Sequence, residues 1–409
     1  MTGDGEFARM REELVARLRK SGAVRSRAVA RAFLRVPRHL FVPHVRPDMA
    51  YQDVVIPTRW RGGQPVSSSS QPAIMAIMLE ALRPEPGQRV LEVGAGSGYN
   101  AALLQELVGP EGRVVTVDVD RETAAWARRS LEAAGYRAPL VVEGDGGLGY
   151  APEAPYDRII VTASSDDVPP AWFHQLREGG VLVLPLRLNG PHFTVALRKE
   201  GAALASERVS ASGFMRLRGA FGAGAAERTG AIGDISVARD YRGPRLDVRA
   251  LGALLATVPR TEPLPGLPRQ ADEAAYGFSY FAALQGAPVA LLSTQNPGHG
   301  FGSAWAMVDT QEPSACLVRW ERLKEGAAWV YGTDAALRWM RAALDRWQGL
   351  GRPGLDRLAL RLTPLPEPRR RRGQEVAPDE VLTRHWRVQA SYRAPGAAGA
   401  TAADGAGRL

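Results

Sequence analysis

The stretch Val90-Leu91-Glu92-Val93-Gly94-Ala95-Gly96-Ser97-Gly98-Tyr99-Asn100 decides the fold. An apolar run ends in an acid, three glycines follow at alternate positions, and a helical pattern from Ala101 to Leu107 comes next. That order reads as strand, tight turn and helix of a parallel α/β unit. Glycine lets the backbone turn sharply and approach a ligand with no Cβ in the way. A dinucleotide fingerprint needs G-x-G-x-x-G, and Tyr99 stands at the sixth position, so the NAD reading fails there. S-adenosylmethionine (AdoMet) suits the pattern better, because it has a positive sulfonium and no phosphate. A strand-end carboxylate can face its positive methionyl end. The plain alternative is a tight strand-to-helix turn with no ligand.

The following elements favour the cofactor. Arg113 to Asp118 reads as a second buried strand with an acid at its end. Asp118 lies close to the ~20-residue spacing at which an acid reaches a ribose hydroxyl pair in nucleotide-binding units. Leu140-Val141-Val142 runs into Glu143-Gly144-Asp145-Gly146, a third acidic strand end. Tyr156 to Thr162 and Gly179 to Pro185 are the fourth and fifth strands, the last entered through a glycine turn. Acids at consecutive strand ends are what a doubly wound sheet offers a ligand at its carboxyl edge.

The whole chain has 409 residues, more than one typical domain. Its 45% hydrophobic content and mean hydropathy of −0.19 describe a soluble globular composition. Cys316 is the single cysteine, which excludes a disulfide framework and a cysteine-based zinc site. The N-terminal stretch is charged and helical in spacing, and no window reaches the ~20 apolar residues of a membrane span. A cytoplasmic protein with no membrane partner is expected. The net charge of +9 comes from 49 Arg and 3 Lys, a skew that resembles codon bias. No aromatic interleaving accompanies it, and the run Arg369 to Arg372 reads as a solvated loop, so no nucleic-acid partner is expected.

Two helices, Phe7 to Lys20 and Ser26 to Leu34, lead into Val36 to Pro43, whose two prolines forbid a continuous helix. An amphipathic helix follows over Gln71 to Leu82. The expected architecture is α/β: a doubly wound, Rossmann-like AdoMet methyltransferase sheet with N-terminal helices and an additional α+β C-terminal domain. The domain expectation is a catalytic domain over 1–210, a linker over 211–234, a peptide-recognition domain over 235–393 and a disordered Ala/Gly tail over 394–409. In the C-terminal region Asp334 to Trp347 is the clearest helix, and Trp320, Trp329, Trp339 and Trp347 are expected to build its core.

Ser67-Ser68-Ser69-Ser70-Gln71-Pro72 stands just before a helix, where serine is also an ordinary N-cap. Residues from about 20 to 190 resemble the protein L-isoaspartyl (D-aspartyl) O-methyltransferases. The matching segments are Val36 to Pro43, Ala50-Tyr51-Gln52-Asp53, Ser70-Gln71-Pro72, Leu91 to Tyr99, Gly144-Asp145-Gly146, Pro155-Tyr156-Asp157 and Leu176 to Pro185. The resemblance implies that Ser70 is the active-site serine and that Glu92, Gly94, Asp118 and Asp145 contact AdoMet. The turn glycines Gly96 and Gly98, and Gly146 beside Asp145, complete the expected cofactor site. Ser69, Gln71, Pro72 and His299 are the expected substrate contacts. Two departures fall on the substrate side: Gln64 precedes Ser70 by a longer, serine-filled segment than usual, and Ala73-Ile74 stand where the family often has a histidine.

The chain is also similar to the FxLD-system methyltransferases of lanthipeptide pathways, on the serine run, Gly213 to Gly219 and Gly298 to Gly302. This resemblance implies esterification of an aspartate in a modified, ribosomally made precursor peptide. Attack by the next backbone amide then gives a succinimide, which persists as aspartimide or opens to isoaspartate. The alternatives are general repair of isoaspartyl proteins and a non-catalytic peptide-binding module. A carboxylate with a pKa near ~4 is already a nucleophile at neutral pH, so no strong base is needed and none accompanies the motif. His299, flanked by glycines, reads as a peptide contact or as a structural loop residue. The other histidines show no metal-ligand spacing, so no metal is expected.

Overall fold

The computed structural model describes residues 3–190, 192–222, 230–238, 247–287, 289–309, 311–368 and 380–394. The chain forms two compact units. The first comprises Met1–Leu186, Thr194–Ala205 and Ser212–Ala223; the second comprises Arg187–Phe193, Ser206–Ala211 and Gly224–Leu409. The basic run 369–372 and the tail from 395 onward lie outside the described residues, as does 223–229 of the expected linker.

The first unit begins with helices α1 (Gly3–Lys20) and α2 (Arg27–Arg35), a 3-10 turn Arg38–Phe41 and the short α3 (Pro47–Ala50). Ser26 caps α2 by accepting from the Val29 amide, and the apolar face Val29, Ala30, Ala32, Phe33 is buried. A hairpin follows, β1 (Ile56–Arg61) against β2 (Gln64–Ser69), then α4 (Pro72–Leu82). Pro72 occupies the first turn of α4, where its missing N–H costs nothing.

The central strands are β3 (Arg89–Val93), β4 (Arg113–Asp118), β5 (Leu140–Glu143), β6 (Tyr156–Val161), β7 (Leu176–Arg187), β8 (His192–Glu200) and β9 (Ala203–Ala211). Their order across the sheet is β9-β8-β7-β6-β3-β4-β5. Strands β3 to β7 pair in parallel, with Glu92 beside Thr116 on one side and Ile160 on the other. Val90, Leu91, Val115 and Ile159 are wholly buried, as expected of parallel strands covered on both faces. Helices α5 (Tyr99–Val108), α6 (Arg121–Ala133) and α7 (Pro170–Gln175) make the crossovers. The chain builds outward from β3 to β5 in one direction and from β6 to β7 in the other. The crevice at the ends of β3 and β6 is therefore the topological switch point, where such sheets bind ligands. Leu14, Phe33, Leu79, Leu104, Ala127 and Val181 belong to one core that joins the helices to the sheet.

The fifth strand begins earlier than the sequence suggests. Gly179-Gly180 do not precede it as a turn but lie inside β7, at a register irregularity between the Tyr156–Leu176 and Arg158–Val181 pairs. Gly179 has φ +68° there, a conformation glycine adopts without strain.

The second unit has a seven-stranded sheet ordered β10-β11-β13-β14-β15-β16-β12. These strands are β10 (Gly230–Ile232), β11 (Ile235–Ala238), β12 (Arg260–Pro263), β13 (Val289–Ser293), β14 (Ser303–Asp309), β15 (Ser314–Arg319) and β16 (Ala327–Gly332). Helix α8 (Val248–Leu255) packs against β10 and β15. A π-helical turn, Glu273–Ser279, leads into α9 (Tyr280–Leu284), and α10 (Ala335–Gly349) packs on β14 and β15. Three antiparallel strands close the unit, β17 (Leu358–Pro364), β18 (Glu380–Leu382) and β19 (Trp386–Tyr392). Trp347 is wholly buried, but Trp339 is 43% exposed, so not all four tryptophans build the core. On α10 the large buried side chains are Leu337, Met340, Leu344 and Trp347, with Ala335, Ala336 and Ala343 buried among them, and Trp339 falls on the other face.

Candidate cofactor and acceptor site

A cavity of about 270 Å³ opens at the carboxyl ends of β3, β4 and β6 in the first unit. Its walls are the turn Glu92 to Ser97 with Asp118, the serine segment Ser67 to Gln71, and the strap Gly213 to Arg218. Of the residues expected in the site, Ser69, Ser70, Gln71, Glu92, Gly94, Gly96, Asp118 and Gly146 share this lining.

The turn needs its glycines for different reasons. Gly94 has φ +100°, and a Cβ there would run into the Thr162 hydroxyl, which donates to the carbonyls of Val93 (3.1 Å) and Gly94 (2.9 Å). A Cβ on Gly96 would stand 3.1 Å from the Ser68 carbonyl oxygen, so its absence keeps the serine segment and the turn in close approach. Gly98 is not a cavity residue. It caps α5 at φ +86°, and a Cβ would meet the Ala127 backbone of α6 at 3.0 Å, so its lack of a side chain lets the two helices pack.

Glu92 is wholly buried, and Asn100 Nδ2 donates to its Oε1 at 2.7 Å. Its Oε2 has no hydrogen-bond partner among the described residues. Burial pushes this carboxyl up to about 7, with the Thr116 hydroxyl and Asn100 pulling the other way. Asp118 is also buried and held above the ordinary carboxylate range by desolvation, although the Asp120 and Gly96 amides donate to it at 3.0 and 3.4 Å. Two buried carboxylates, one with an orphaned oxygen, favour a cationic ligand that also brings hydroxyl donors, and they repel phosphate. AdoMet has that chemistry, with a sulfonium, an ammonium and a ribose diol.

Asp145 is used by the protein itself. Its Oδ1 accepts from the Gly147 amide at 2.9 Å and its Oδ2 from the Ala220 amide at 2.6 Å, and it does not line the cavity. Asp145, expected as a cofactor contact, is also a cap and a tie to the strap. That strap is further held by main-chain bonds from Ser164 to Met215 (2.7 Å) and from Leu217 to Ser164 (2.8 Å). Arg218 lies 3.8 Å from Asp118 and 3.9 Å from Asp120. The strap falls in the stretch expected to be a linker, and no motif there signals that it closes a cavity.

At the serine end, β2 pairs antiparallel with β1, and Thr58 donates to Ser67 Oγ at 3.1 Å. Ser67 and Ser69 are buried, and Ser70 is half-buried at the cavity wall. Asp53 accepts from Gln71 Nε2 at 3.0 Å and from the Ala73 amide at 2.8 Å, so Gln71 is engaged as a strut as well as a lining residue. Pro72 is buried in the first turn of α4 and does not share the cavity lining. Arg59 and Arg61 of β1 pair with Asp120, the N-cap of α6, and so anchor the hairpin beside Asp118. His299 lies in the second unit, where its Nε2 is 2.7 Å from Asp234 Oδ1 within a loop also capped by Asn296.

Comparison with known proteins bears on this geometry. Residues 9–219 match the family model described as protein-L-isoaspartate(D-aspartate) O-methyltransferase. The chain belongs to that family. A protein-L-isoaspartate O-methyltransferase of Methanopyrus kandleri is 52% identical over 184 residues, 45% of this chain and 79% of the relative. One of Hyperthermus butylicus is 42% identical over 225 residues, 53% of this chain and 91% of the relative. A solved structure named protein-L-isoaspartate O-methyltransferase aligns at TM-score 0.52 and 27% identity, over 86% of this chain and 96% of that one. The methyltransferase takes AdoMet as its cofactor, and its α/β sheet is that of the AdoMet methyltransferases. The likeness to that solved chain extends well past the methyltransferase sheet, whereas the two curated relatives align over only about half of this chain.

Proposed function

We propose that the protein esterifies the free carboxylate of isoaspartyl residues in proteins and peptides, with Glu92, Gly94, Gly96 and Asp118 holding the cofactor and Ser70 orienting the acceptor. The observation supporting this reading is that a single cavity is lined by the acidic strand ends and by Ser67 to Ser70. AdoMet, when bound, supplies an electrophilic methyl group. The protein's own residues then do three things. Glu92 and Asp118 present buried negative charge and acceptors that orient a cation with a diol. The Ser70 hydroxyl donates a hydrogen bond to the acceptor carboxylate and leaves its second oxygen free as the nucleophile. The strap and the hairpin exclude water, which strips part of the hydration from that oxygen and aligns it for in-line attack. No general base is required, because the acceptor is ionised at neutral pH.

The test is methyl transfer from labelled AdoMet to an isoaspartyl peptide and to the same peptide with normal aspartate. Robust labelling of the isoaspartyl form alone is expected. Ser70→Ala is expected to keep cofactor affinity and to lower kcat/KM by ~10–100-fold, the worth of one hydrogen bond to a charged group. Unchanged turnover in that variant would remove Ser70 from the mechanism.

A second reading is favoured by one feature, the serine-filled approach to Ser70 followed by Ala73-Ile74 in place of the family's usual histidine. In it the acceptor is an aspartate of a modified, lanthipeptide-type precursor, and the ester closes to a succinimide. Release of labelled methanol from such a precursor, leaving a peptide lighter than the starting precursor by one water, and no labelling of the isoaspartyl peptide, would select it.

A further inference from the structure

Arg38 has no part in the site as described so far, yet it is wholly buried at the back of the serine segment. Its guanidinium donates to the carbonyls of Gln52 (3.0 Å), Val54 (3.2 Å) and Ser70 (3.0 Å), and stands 3.5 Å from Ser69 Oγ. Gln52 and Val54 precede β1, Ser69 ends β2 and Ser70 follows it. One side chain therefore ties together the two ends of the hairpin that forms the serine wall of the cavity.

Among the described residues, Arg38 has no carboxylate within ion-pair distance. Its face rests instead on the Tyr99 ring, 5.7 Å from the centroid. Desolvation works against its charge, and Tyr99, Asp53 and Tyr51 offset this only in part. A buried cation of this kind is a poor way to obtain stability, because an apolar side chain of similar volume is often neutral or better at such a site. What an apolar side chain cannot do is hold several carbonyls at set positions. The fork of Arg does that with directed N–H groups. Ser70 is held through its carbonyl by this fork, and its hydroxyl makes no hydrogen bond to another described residue. Gln71, next in sequence, is tied separately by Asp53.

We propose that Arg38 is a positioning residue for methyl transfer, acting through Ser70: by clamping the Ser70 carbonyl to the opposite end of the hairpin, it sets where the Ser70 hydroxyl points in the cavity. This rests on the reading of Ser70 as the residue that orients the acceptor. Arg38 touches neither substrate nor cofactor, and its contribution passes wholly through the serine segment.

A double-mutant cycle tests it, with Arg38→Met, Ser70→Ala and the pair, scored by kcat/KM for the isoaspartyl peptide, Kd for S-adenosylhomocysteine and Tm. Arg38→Met is expected to lower kcat/KM by ~10–100-fold with Kd unchanged within twofold, and the pair is expected to be no worse than the weaker single variant. Arg38→Lys, which keeps the charge but reaches fewer carbonyls, is expected to recover part of the loss. If Arg38→Met does not fold, the cycle is run with Arg38→Lys. Losses that multiply in the pair, or a Kd that weakens as much as turnover falls, would overturn the proposal. A Ser70→Ala variant with full turnover would instead overturn the Ser70 reading, so the two failures are distinct.

Discussion

Replacing Glu92 with glutamine separates what this carboxylate costs the fold from what it does for the cofactor. The side chain is wholly buried and its carboxyl is raised to about 7 from an ordinary 4.5. The folded state therefore binds more protons than the unfolded one between those values, and stability falls as pH rises through the window. The burial of this one charge costs about 3 kcal/mol above pH 7 and nothing below pH 4.5. Glutamine keeps the acceptor facing Asn100 and removes the charge. Glu92→Gln is thus expected to raise Tm at pH 8 in the absence of cofactor and to leave it nearly unchanged at pH 5. Cofactor binding should move the other way. A cationic ligand favours the ionised carboxylate, so wild-type affinity should drop about tenfold from pH 8 to pH 6. Calorimetry with AdoMet itself, which carries the sulfonium, on both proteins without acceptor measures this, and the ratio of the two affinities cancels titration of the ligand itself. A ratio that does not change with pH, or a variant no more stable than wild type at pH 8, would refute the reasoning.

Gly94→Ala forces φ +100° on a residue with a Cβ and drives it into Thr162, so a loss of at least ~2 kcal/mol and of cofactor binding is expected by thermal melts and calorimetry. Arg218→Ala removes two long, partly exposed ion pairs and should change stability by less than ~1 kcal/mol. Because it also frees Asp118 for a ribose diol, it should tighten S-adenosylhomocysteine binding a few-fold at low salt, an advantage that fades at high salt. Trp347→Ala empties a fully buried site where the indole donates to the Pro353 carbonyl and packs on Phe278. A loss of ~3–5 kcal/mol in denaturant melts is expected.

Sequence alone determined the parallel sheet, the turn after β3 and the acids at the ends of β3 and β4. Each of these is local: apolar runs buried on both faces, glycines where the backbone takes positive φ, and a side chain one step from its strand end. Local patterns did not announce that Gly98 also serves the packing of α5 on α6, or that the oxygens of Asp145 accept from backbone amides. Only the tertiary structure decided which distant segments complete the site. Arg38 reaches Ser70 across 32 positions, and Ala220 reaches Asp145 across 75. No periodicity or spacing links such residues, because their encounter depends on how the hairpin and the strap fold back over the sheet. The turn specified a cofactor, whereas the walls that face the acceptor come from chain segments that meet only in three dimensions.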